Sequence, residues 1–145
     1  MSKHLQKDVD LLHSRLMSLF GVVEQMVDKA VRALCEQRVE LAIEVIQSDS
    51  RVNQTEVGIE EECLKILALH QPVAFDLRFL VAALKINNDL ERIGDLAVNI
   101  SRKARSFVEW PPMAIPFDLA GMAEKSQSML RDSLDALINL DAALA

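Results

Sequence analysis

The sequence predicts an all-α protein built on an antiparallel, up-down-up three-helix bundle, and three observations support this fold. Four Gly and four Pro occur in 145 residues, a low content of turn formers that favours a few long helices. Apolar residues recur every three or four positions through three long stretches, as they do on the buried face of a helix. Two residues separate each stretch from the next, and joints this short place consecutive helices antiparallel.

The first two helices are predicted over residues 5–36 and 39–70. In the first, an apolar stripe runs from Leu5 to Leu34, and Gly21 interrupts it where we expect a close contact or a slight bend. In the second, the apolar seam weakens in the segment SDSRVNQTEVG, where we expect the helix to fray or kink. The heptad-like spacing predicts left-handed, coiled-coil-like packing.

The third helix is predicted over residues 72–107. Pro72 is expected at its first position, where the missing N–H of proline would have no helical partner in any case. The segment WPPMAIPF at 110–117 contains three prolines and therefore excludes a helix there. A fourth amphipathic helix is predicted from Asp118 to the last residue, Ala145.

The predicted domains are a three-helix bundle at 1–108, a proline-rich linker at 109–117 and a helix at 118–145. Shifting the sequence by about a hundred residues places Met129 over Met26, so we expect the fourth helix to begin an incomplete second repeat. The chain would then be a fragment, or the helix would find its partners on another molecule, which predicts a homodimer or higher oligomer. The apolar face expected to lack partners comprises Met122, Met129, Leu130, Leu134, Leu137 and Leu144.

Composition and motifs argue against several classes of protein. The formal net charge is −6 and no basic stripe is evident in the sequence, so a nucleic-acid partner is not expected. No signal peptide or membrane-spanning apolar run occurs, and we expect a cytoplasmic protein without direct membrane insertion. Cys35 and Cys63 are expected to be reduced core residues. The sequence has no nucleophile elbow, phosphate loop or catalytic triad, which favours a protein that is not an enzyme.

Polar side chains in the second half of the third helix form the candidate site. Glu91 and Asp95 stand one turn apart, with Asn88 and Asn99 on the same stripe. Folding the second helix back on the third about Gln71 brings an acidic stripe of the second helix opposite these carboxylates. That stripe contains Asp49, Asn53, Glu56 and Glu60. Facing helices that each offer oxygen ligands a turn apart can hold a multinuclear metal site.

The same pattern has a purely structural interpretation. Acidic residues beside a buried seam often face water, and Arg51, Arg92 and Arg102 are near enough in sequence to pair with them. Gly94 lies between the carboxylates and costs helix stability, so we expect it to permit a close approach, by a neighbouring helix or by a ligand. Both interpretations stay open on the residues alone.

Three short motifs carry a resemblance to a known family. Gln-Pro at 71–72, Asp-Leu-Arg at 76–78 and Asp-Leu-Glu-Arg-Ile-Gly-Asp at 89–95 are similar, in sequence and in spacing, to the PhoU family of phosphate-signalling regulators. The likeness spans about residues 5–107 and includes the segment 21–31. On the second helix it includes Asp49, Asn53 and Glu56.

The resemblance implies a fold, a function and a metal. Family members consist of two three-helix bundles in tandem and act as cytoplasmic negative regulators of phosphate uptake and the phosphate-starvation response. They are thought to link the ATPase of a phosphate ABC transporter to a sensor histidine kinase. Their acid-x-x-x-Asp motifs bind metal clusters, iron in some members, with zinc, manganese or nickel as alternatives. Glu91 and Asp95 match this motif, as do Asp49 and Asn53, where Asn replaces a frequent acid.

Two other functions are compatible with the residues. One is a carboxylate-bridged metalloenzyme of the di-iron type, and the other is a purely structural helical dimerisation module. The enzyme is disfavoured because a ferritin-like site needs two acid-x-x-His pairs, and only Asp10 with His13 supplies one. His70 is expected to act at a helix end, where a cation suits the helix dipole.

Overall fold

The computed structural model describes residues 2–145 and contains four α-helices with one short 3₁₀ helix. No strand occurs in this range, which confirms the all-α prediction. Together α1, α2 and α3 form an antiparallel bundle in which each helix packs on the other two, and α4 packs mainly on α1. The elements are α1 Lys3–Cys35, α2 Val39–His70, α3 Ala74–Ser106, the 3₁₀ helix Phe107–Glu109 and α4 Leu119–Asn139.

A large apolar core fills the centre of the bundle, and a second, small cluster consists of Ala33, Leu41, Ala42 and Ala104. Each helix contributes side chains at spacings of three and four, and the largest of them are fully buried. Burying a Leu or Ile side chain contributes roughly 1.5–3 kcal/mol, so this seam dominates the stability of the bundle. Its most deeply buried members are Leu12, Leu16, Leu19 and Val23 of α1, Val45, Val52, Ile59 and Ile66 of α2, and Leu80 and Leu90 of α3.

The second helix has the predicted bounds and remains continuous through its polar middle. Val52 and Ile59 are buried within that middle, at 1% and 0% exposure, so the core still holds the segment in place. The expected fraying is therefore wrong, because the helix is unbroken through this segment. The first helix begins at Lys3 because Ser2 caps it, its hydroxyl accepting a hydrogen bond from the Leu5 N–H at 3.1 Å.

The third helix begins two residues later than predicted. Pro72 lies in the joint between α2 and α3, and Val73, in an extended conformation, is the N-cap. A proline disfavours the right-handed helical conformation in the residue that precedes it. Gln71 accordingly adopts a left-handed conformation, with φ of 44°, and ends α2. The chain then needs Pro72 and Val73 to reverse its direction before α3 can start at Ala74.

The fourth helix ends at Asn139 and not at the last residue, so that part of the prediction is wrong. Leu140 takes a left-handed conformation with φ of 55° and closes the helix. The Asp141 carboxylate then accepts hydrogen bonds from the N–H groups of Ala143 and Leu144, at 3.0 and 3.2 Å. A local turn of this kind competes with continued helix.

Part of the apolar face of α4 finds partners within the chain. Leu134 is buried against the bundle at 2% exposure, and Leu130 and Leu137 pack beside it. The expectation that this face lacks partners is therefore wrong for these three residues. It holds for Met122, Met129 and Leu144, which are 57%, 65% and 44% exposed.

The two cysteines differ in environment. Cys63 is buried, and burial raises the pKa of its thiol to about 11, with the charges of Glu62 and Glu60 as further causes. Cys35 is exposed at the end of α1, so the expectation of two core cysteines is wrong for it. Neither forms a disulfide. In the part of the chain that the structure describes, no helix is both long and apolar enough to cross a membrane.

Close packing does not require glycine at the interior helix positions 21, 58 and 94. A Cβ atom built at Gly94 would lie 3.5 Å from Val52 Cγ1 and 3.9 Å from the nearest Met26 atom, which are ordinary van der Waals contacts. No atom lies within 4 Å of such a Cβ at Gly21 or Gly58. The expected close approach at Gly21 is therefore absent, and the one at Gly94 leaves room for a methyl group.

Replacing Gly94 with Ala should stabilise the protein. Alanine is favoured over glycine inside a helix by about 1 kcal/mol, and here the added methyl group also becomes buried. We expect the free energy of unfolding, measured by urea titration, to rise by about 1 kcal/mol. Gly58→Ala is the matched control, because its methyl group meets open space and reports helix propensity alone. A loss of stability in Gly94→Ala alone would show that this position requires glycine.

Candidate metal centre between α2 and α3

The antiparallel packing of α2 on α3 brings four of the five predicted site residues together. Asp49 and Glu56 stand two turns apart on α2, while Glu91 and Asp95 stand one turn apart on α3. The charges of Asp95, Glu56 and Asp49 all act on the Glu91 carboxyl, which places the four groups around one region of the interface. Below, these four residues are called the carboxylate quartet.

Glu91 has the most perturbed environment in the quartet. Its pKa is raised above the usual glutamate value, first by partial burial and then by a hydrogen bond with Asp95 that requires a proton between the two carboxyls. Repulsion from Asp95, Glu56 and Asp49 raises this pKa further. Each cause disfavours the charged form of Glu91, so a cation or a proton at this place would relieve it.

Asp49 gives a second indication that the quartet lacks a positively charged partner. Its Oδ1 atom is buried and has no hydrogen-bond partner among the described residues. A buried carboxylate oxygen without a partner is costly, because it has lost its contacts with water and gained none in return. The Asp49 side chain therefore presents an acceptor toward the interface that a cation could satisfy.

Asn53 lies on α2 one turn beyond Asp49, but its side chain is exposed and makes no hydrogen bond within residues 2–145. Its neutral amide adds an oxygen without adding charge, so it takes no part in the repulsion that perturbs Glu91. The structure thus leaves Asn53 at the margin of the quartet. Asp95 is also exposed, whereas Glu56 and Glu91 are half-buried.

No arginine neutralises the quartet. Arg51, Arg92 and Arg102 were the expected partners under the structural interpretation, yet none of them lies within ion-pair distance of a carboxylate in the part of the chain described. The carboxylates consequently repel one another without compensation. A pattern of ordinary surface ion pairs does not account for this interface.

The carboxylate oxygens of the quartet are suitable ligands for a hard or borderline cation. In their present rotamers, however, the side chains do not converge on one position. Carboxylate oxygens are suitable ligands for iron, manganese and zinc ions. Within residues 2–145, however, no three Asp, Glu, His or Cys side chains converge closely enough to hold one ion as they stand. The quartet is close enough for mutual repulsion, and side-chain rotation would be needed for shared coordination.

Sequence reasoning missed Asn87, which fixes the backbone beneath the quartet. Asn87 is 2% exposed, and its Nδ2 donates a hydrogen bond to the backbone carbonyl of Glu56 at 2.9 Å. This bond ties α3 to α2 at the level of the site. Asn88, which the sequence favoured, is exposed. The position of Asn87 in the buried 3–4 repeat with Leu90 and Gly94 was the available signal.

Two of the three histidines, His13 and His70, contact residues elsewhere in the bundle. His13 packs edge-on against Phe79, with ring centroids 4.6 Å apart, while Asp10 accepts a hydrogen bond from Gln6. Asp10 and His13 therefore do not act as an acid–histidine pair. His70 Nε2 lies 2.8 Å from Asp8 Oδ2, and this contact lowers the pKa of Asp8.

Comparisons with known proteins agree with the motifs of α3. The PhoU domain family matches residues 16–104. The chain is 38% identical to the phosphate-specific transport system accessory protein PhoU homolog of Aquifex aeolicus over 97% of its own length and 64% of that protein. It is 34% identical to the Escherichia coli phosphate-specific transport system accessory protein PhoU, covering 97% of this chain and 60% of that protein.

Solved structures show the same fold. The crystal structure of PhoU from Pseudomonas aeruginosa matches with a TM-score of 0.90 and 36% identity, over 96% of this chain and 67% of that one. The phosphate transport system regulatory protein PhoU from Streptococcus pneumoniae matches with a TM-score of 0.86 and 30% identity, over 97% of this chain and 66% of that one. The chain thus spans about three fifths of the length of the curated relatives it matches. By the domain match, these identities and these structures, the chain belongs to the PhoU family.

Proposed function

We propose that this protein is a cytoplasmic negative regulator of phosphate uptake and phosphate-starvation signalling. Its membership of the PhoU family carries this proposal, since the relatives are named accessory or regulatory proteins of phosphate transport. The three-helix bundle, which contains the matched residues 16–104, would be the unit that performs the regulation.

The mechanism would be that of an adaptor. By binding the ATPase of a phosphate ABC transporter and a sensor histidine kinase, the protein would favour one signalling state of the kinase over another. An adaptor shifts such an equilibrium only as far as its affinities for the two states differ. A rigid helical bundle suits this role, because it presents fixed surfaces to both partners and loses little conformational entropy on binding.

A regulatory role is better supported than a catalytic one. A di-iron type enzyme would need histidine ligands or a general base beside the carboxylates. In the described structure His13 contacts Phe79 and His70 contacts Asp8, so neither stands beside the quartet. The alternative of a purely structural dimerisation module does not explain why four uncompensated carboxylates meet between α2 and α3.

Direct binding measurements test the adaptor proposal. The purified chain should bind the ATPase subunit of a phosphate ABC transporter, the cytoplasmic region of its associated sensor kinase, or both. An ATPase subunit from an unrelated ABC transporter is the control. If a chain with the expected helical circular dichroism spectrum binds neither partner, or binds the unrelated ATPase equally well, the adaptor proposal is wrong for this protein.

We further propose that the quartet, with Asn53 at its margin, holds a metal ion or a small cluster, most simply of iron. Zinc, manganese and nickel are the alternatives that the donor set allows. A bound cation would neutralise the mutual repulsion of the carboxylates and link α2 to α3. Asp49 Oδ1, which is buried without a partner, is the best-placed first ligand, and Glu56, Glu91 and Asp95 would complete the set after side-chain rotation.

The variant Glu91→Gln should respond in opposite ways with and without metal. The raised pKa of Glu91 means that the folded state holds its proton more tightly than the unfolded state does. This contribution to stability is therefore present at low pH and lost as the pH rises through the raised pKa. In metal-free protein at pH 7, Gln removes the repulsion, and we expect a higher melting temperature, by up to about 3 °C after allowance for solvent screening.

With iron or zinc present, Glu91→Gln should no longer have a higher melting temperature than the wild-type protein. Metal should raise the melting temperature of the wild-type protein and be retained in elemental analysis, whereas Glu91→Gln and Glu91→Ala/Asp95→Ala should retain little. Glu60→Gln, an acidic residue of α2 outside the quartet, is the matched control and should behave as wild type. If the wild-type protein takes up none of the four metals at neutral pH, the quartet is not a metal site, and the adaptor proposal would still stand on the family membership.

We also propose that the protein forms a homodimer through the outer side of α4. Met129 of α4 is 65% exposed and Leu144, beyond the end of the helix, is 44% exposed, and exposed apolar residues of this kind favour association. Sedimentation at a concentration on the order of tens of micromolar should give the mass of a dimer. Met129→Asp should shift it to a monomer, while Met113→Asp, at an exposed position of the linker, should not. A monomeric wild-type protein would contradict the proposal.

A further inference from the structure

Asn87 lies in the core and bonds directly to the backbone of a quartet residue. Its side chain is 2% exposed, and its Nδ2 donates a hydrogen bond to the carbonyl of Glu56 at 2.9 Å. Glu91, another member of the quartet, follows Asn87 by four residues and therefore lies one turn farther along α3. One buried side chain thus connects a quartet residue of α2 to the turn of α3 that carries Glu91.

This bond is also the only hydrogen bond or ion pair that joins α2 to α3 within residues 2–145. The interface between α1 and α2 has several polar links instead, among them Arg15 with Glu62 and Lys29 with Glu44. The remaining polar link between helices is formed by α1 and α4. The relative position of α2 and α3 therefore depends on apolar packing and on Asn87.

The apolar packing of α3 is weakly directional around the quartet. Of its buried residues from 83 to 104, only Leu90 and Val98 carry a larger apolar side chain, and the rest are Ala, Gly or Ser apart from Asn87. Contacts of small side chains change little when one helix slides or rotates by a fraction of a turn, because apolar attraction is non-directional. A hydrogen bond weakens steeply when its length or angle changes. Asn87 therefore restrains movements that the small side chains permit.

Asn87 contributes position more than stability. Its Oδ1 is buried and has no hydrogen-bond partner among the described residues, which is costly for an amide oxygen. The carbonyl of Glu56 lies inside α2 and also accepts a hydrogen bond within that helix, so it would not be left unpaired without Asn87. Removing the Asn87 amide thus takes away a restraint without leaving an unpaired partner behind.

We infer that Asn87 is a positioning residue for the quartet, which holds Asp49 and Glu56 of α2 in place relative to Glu91 and Asp95 of α3. Side chains that share a ligand must be held to within about 0.5 Å of the required geometry. Residues that hold the ligands of a metal typically change its affinity by about 10- to 100-fold when they are replaced. The effect on metal affinity rests on the proposed metal centre, whereas the positioning itself does not.

Two variants that lack the amide donor test the inference. Asn87→Val puts a larger apolar side chain into the core, and Asn87→Ala puts a smaller one there, so the melting temperatures of the two metal-free variants should differ. Both lose the bond to Glu56, and both should therefore bind Zn²⁺ or anaerobic Fe²⁺ about 10- to 100-fold more weakly than the wild-type chain. The affinity is measured by competition with a chromophoric chelator, at a temperature where circular dichroism shows all variants to be folded.

Ser101→Ala is the matched control. Ser101 lies fourteen residues beyond Asn87 in the same buried seam, it is 0% exposed, and its Oγ has no hydrogen-bond partner among the described residues. This variant removes a buried polar group of α3 that connects to no other helix. It should bind the metal as the wild-type chain does.

A second measurement needs no metal. Nitroxide labels on Glu60→Cys and Asp89→Cys, at exposed positions of α2 and α3 outside the quartet, report the distance between the helices by pulsed electron paramagnetic resonance. The background is Cys35→Ser, because Cys35 is exposed while Cys63 is buried and has a thiol pKa raised to about 11. In metal-free protein the distance distribution should be broader in both Asn87 variants than in the wild-type chain or Ser101→Ala.

The two measurements separate the inference from the metal proposal. If the wild-type chain binds no metal, the metal proposal fails, and the label distances alone decide whether Asn87 positions the quartet. An unchanged distance distribution in both Asn87 variants would overturn the inference. So would wild-type metal affinity in both variants of a chain that binds metal, or a loss in Ser101→Ala as large as theirs, which would show a general loosening of the core.

Discussion

The apolar seam between α2 and α3 is the constraint on which the rest of the structure depends. Val52 and Ile59 on one helix and Leu90 on the other are fully buried, and only one antiparallel register buries them all. The Asn87 side chain reinforces that register with its hydrogen bond to the carbonyl of Glu56. Because the carboxylates of the quartet flank this seam, packing α2 on α3 also brings them together. The repulsion within the quartet is therefore a consequence of the same packing that stabilises the core.

The same reasoning explains how much of the fold the sequence could predict. Helix periodicity depends on burial at every third and fourth position, and it located α2 without error because Val39 and His70 adjoin short joints. The start of α3 and the end of α4, which were predicted wrongly, each depend on the backbone conformation of a single residue. Ala74, the first residue of α3, and Leu140, which closes α4, are left-handed non-glycine residues, and that conformation is rare enough that sequence pattern does not signal it.

The candidate site was predictable in position but not in detail. Spacing on the two helices indicated that Asp49 would face Glu91 and Asp95, because antiparallel register follows from the length of a joint. Which asparagine is buried, and whether an arginine reaches a carboxylate, depend on side-chain rotamers. Arg92 illustrates this: in sequence it adjoins Glu91, but in the structure it forms no ion pair with a described carboxylate and lines a cavity with Leu130 of α4.

Helix α3 consequently has three faces with different chemistry. One face packs in the core, a second presents Glu91 and Asp95 toward α2, and a third exposes Arg78, Lys85 and Arg92 together with Asp89. Positive charge along one side of a helix cannot neutralise carboxylates on another side when the side chains point apart, so Glu91 and Asp95 have no ion-pair partner among the described residues. This separation costs some stability, since unpaired charges of both signs repel their own kind. No ion pair joins Arg92 to Asp95 among the described residues, and the metal proposal depends on this, because it requires carboxylate charge that the fold itself leaves uncompensated.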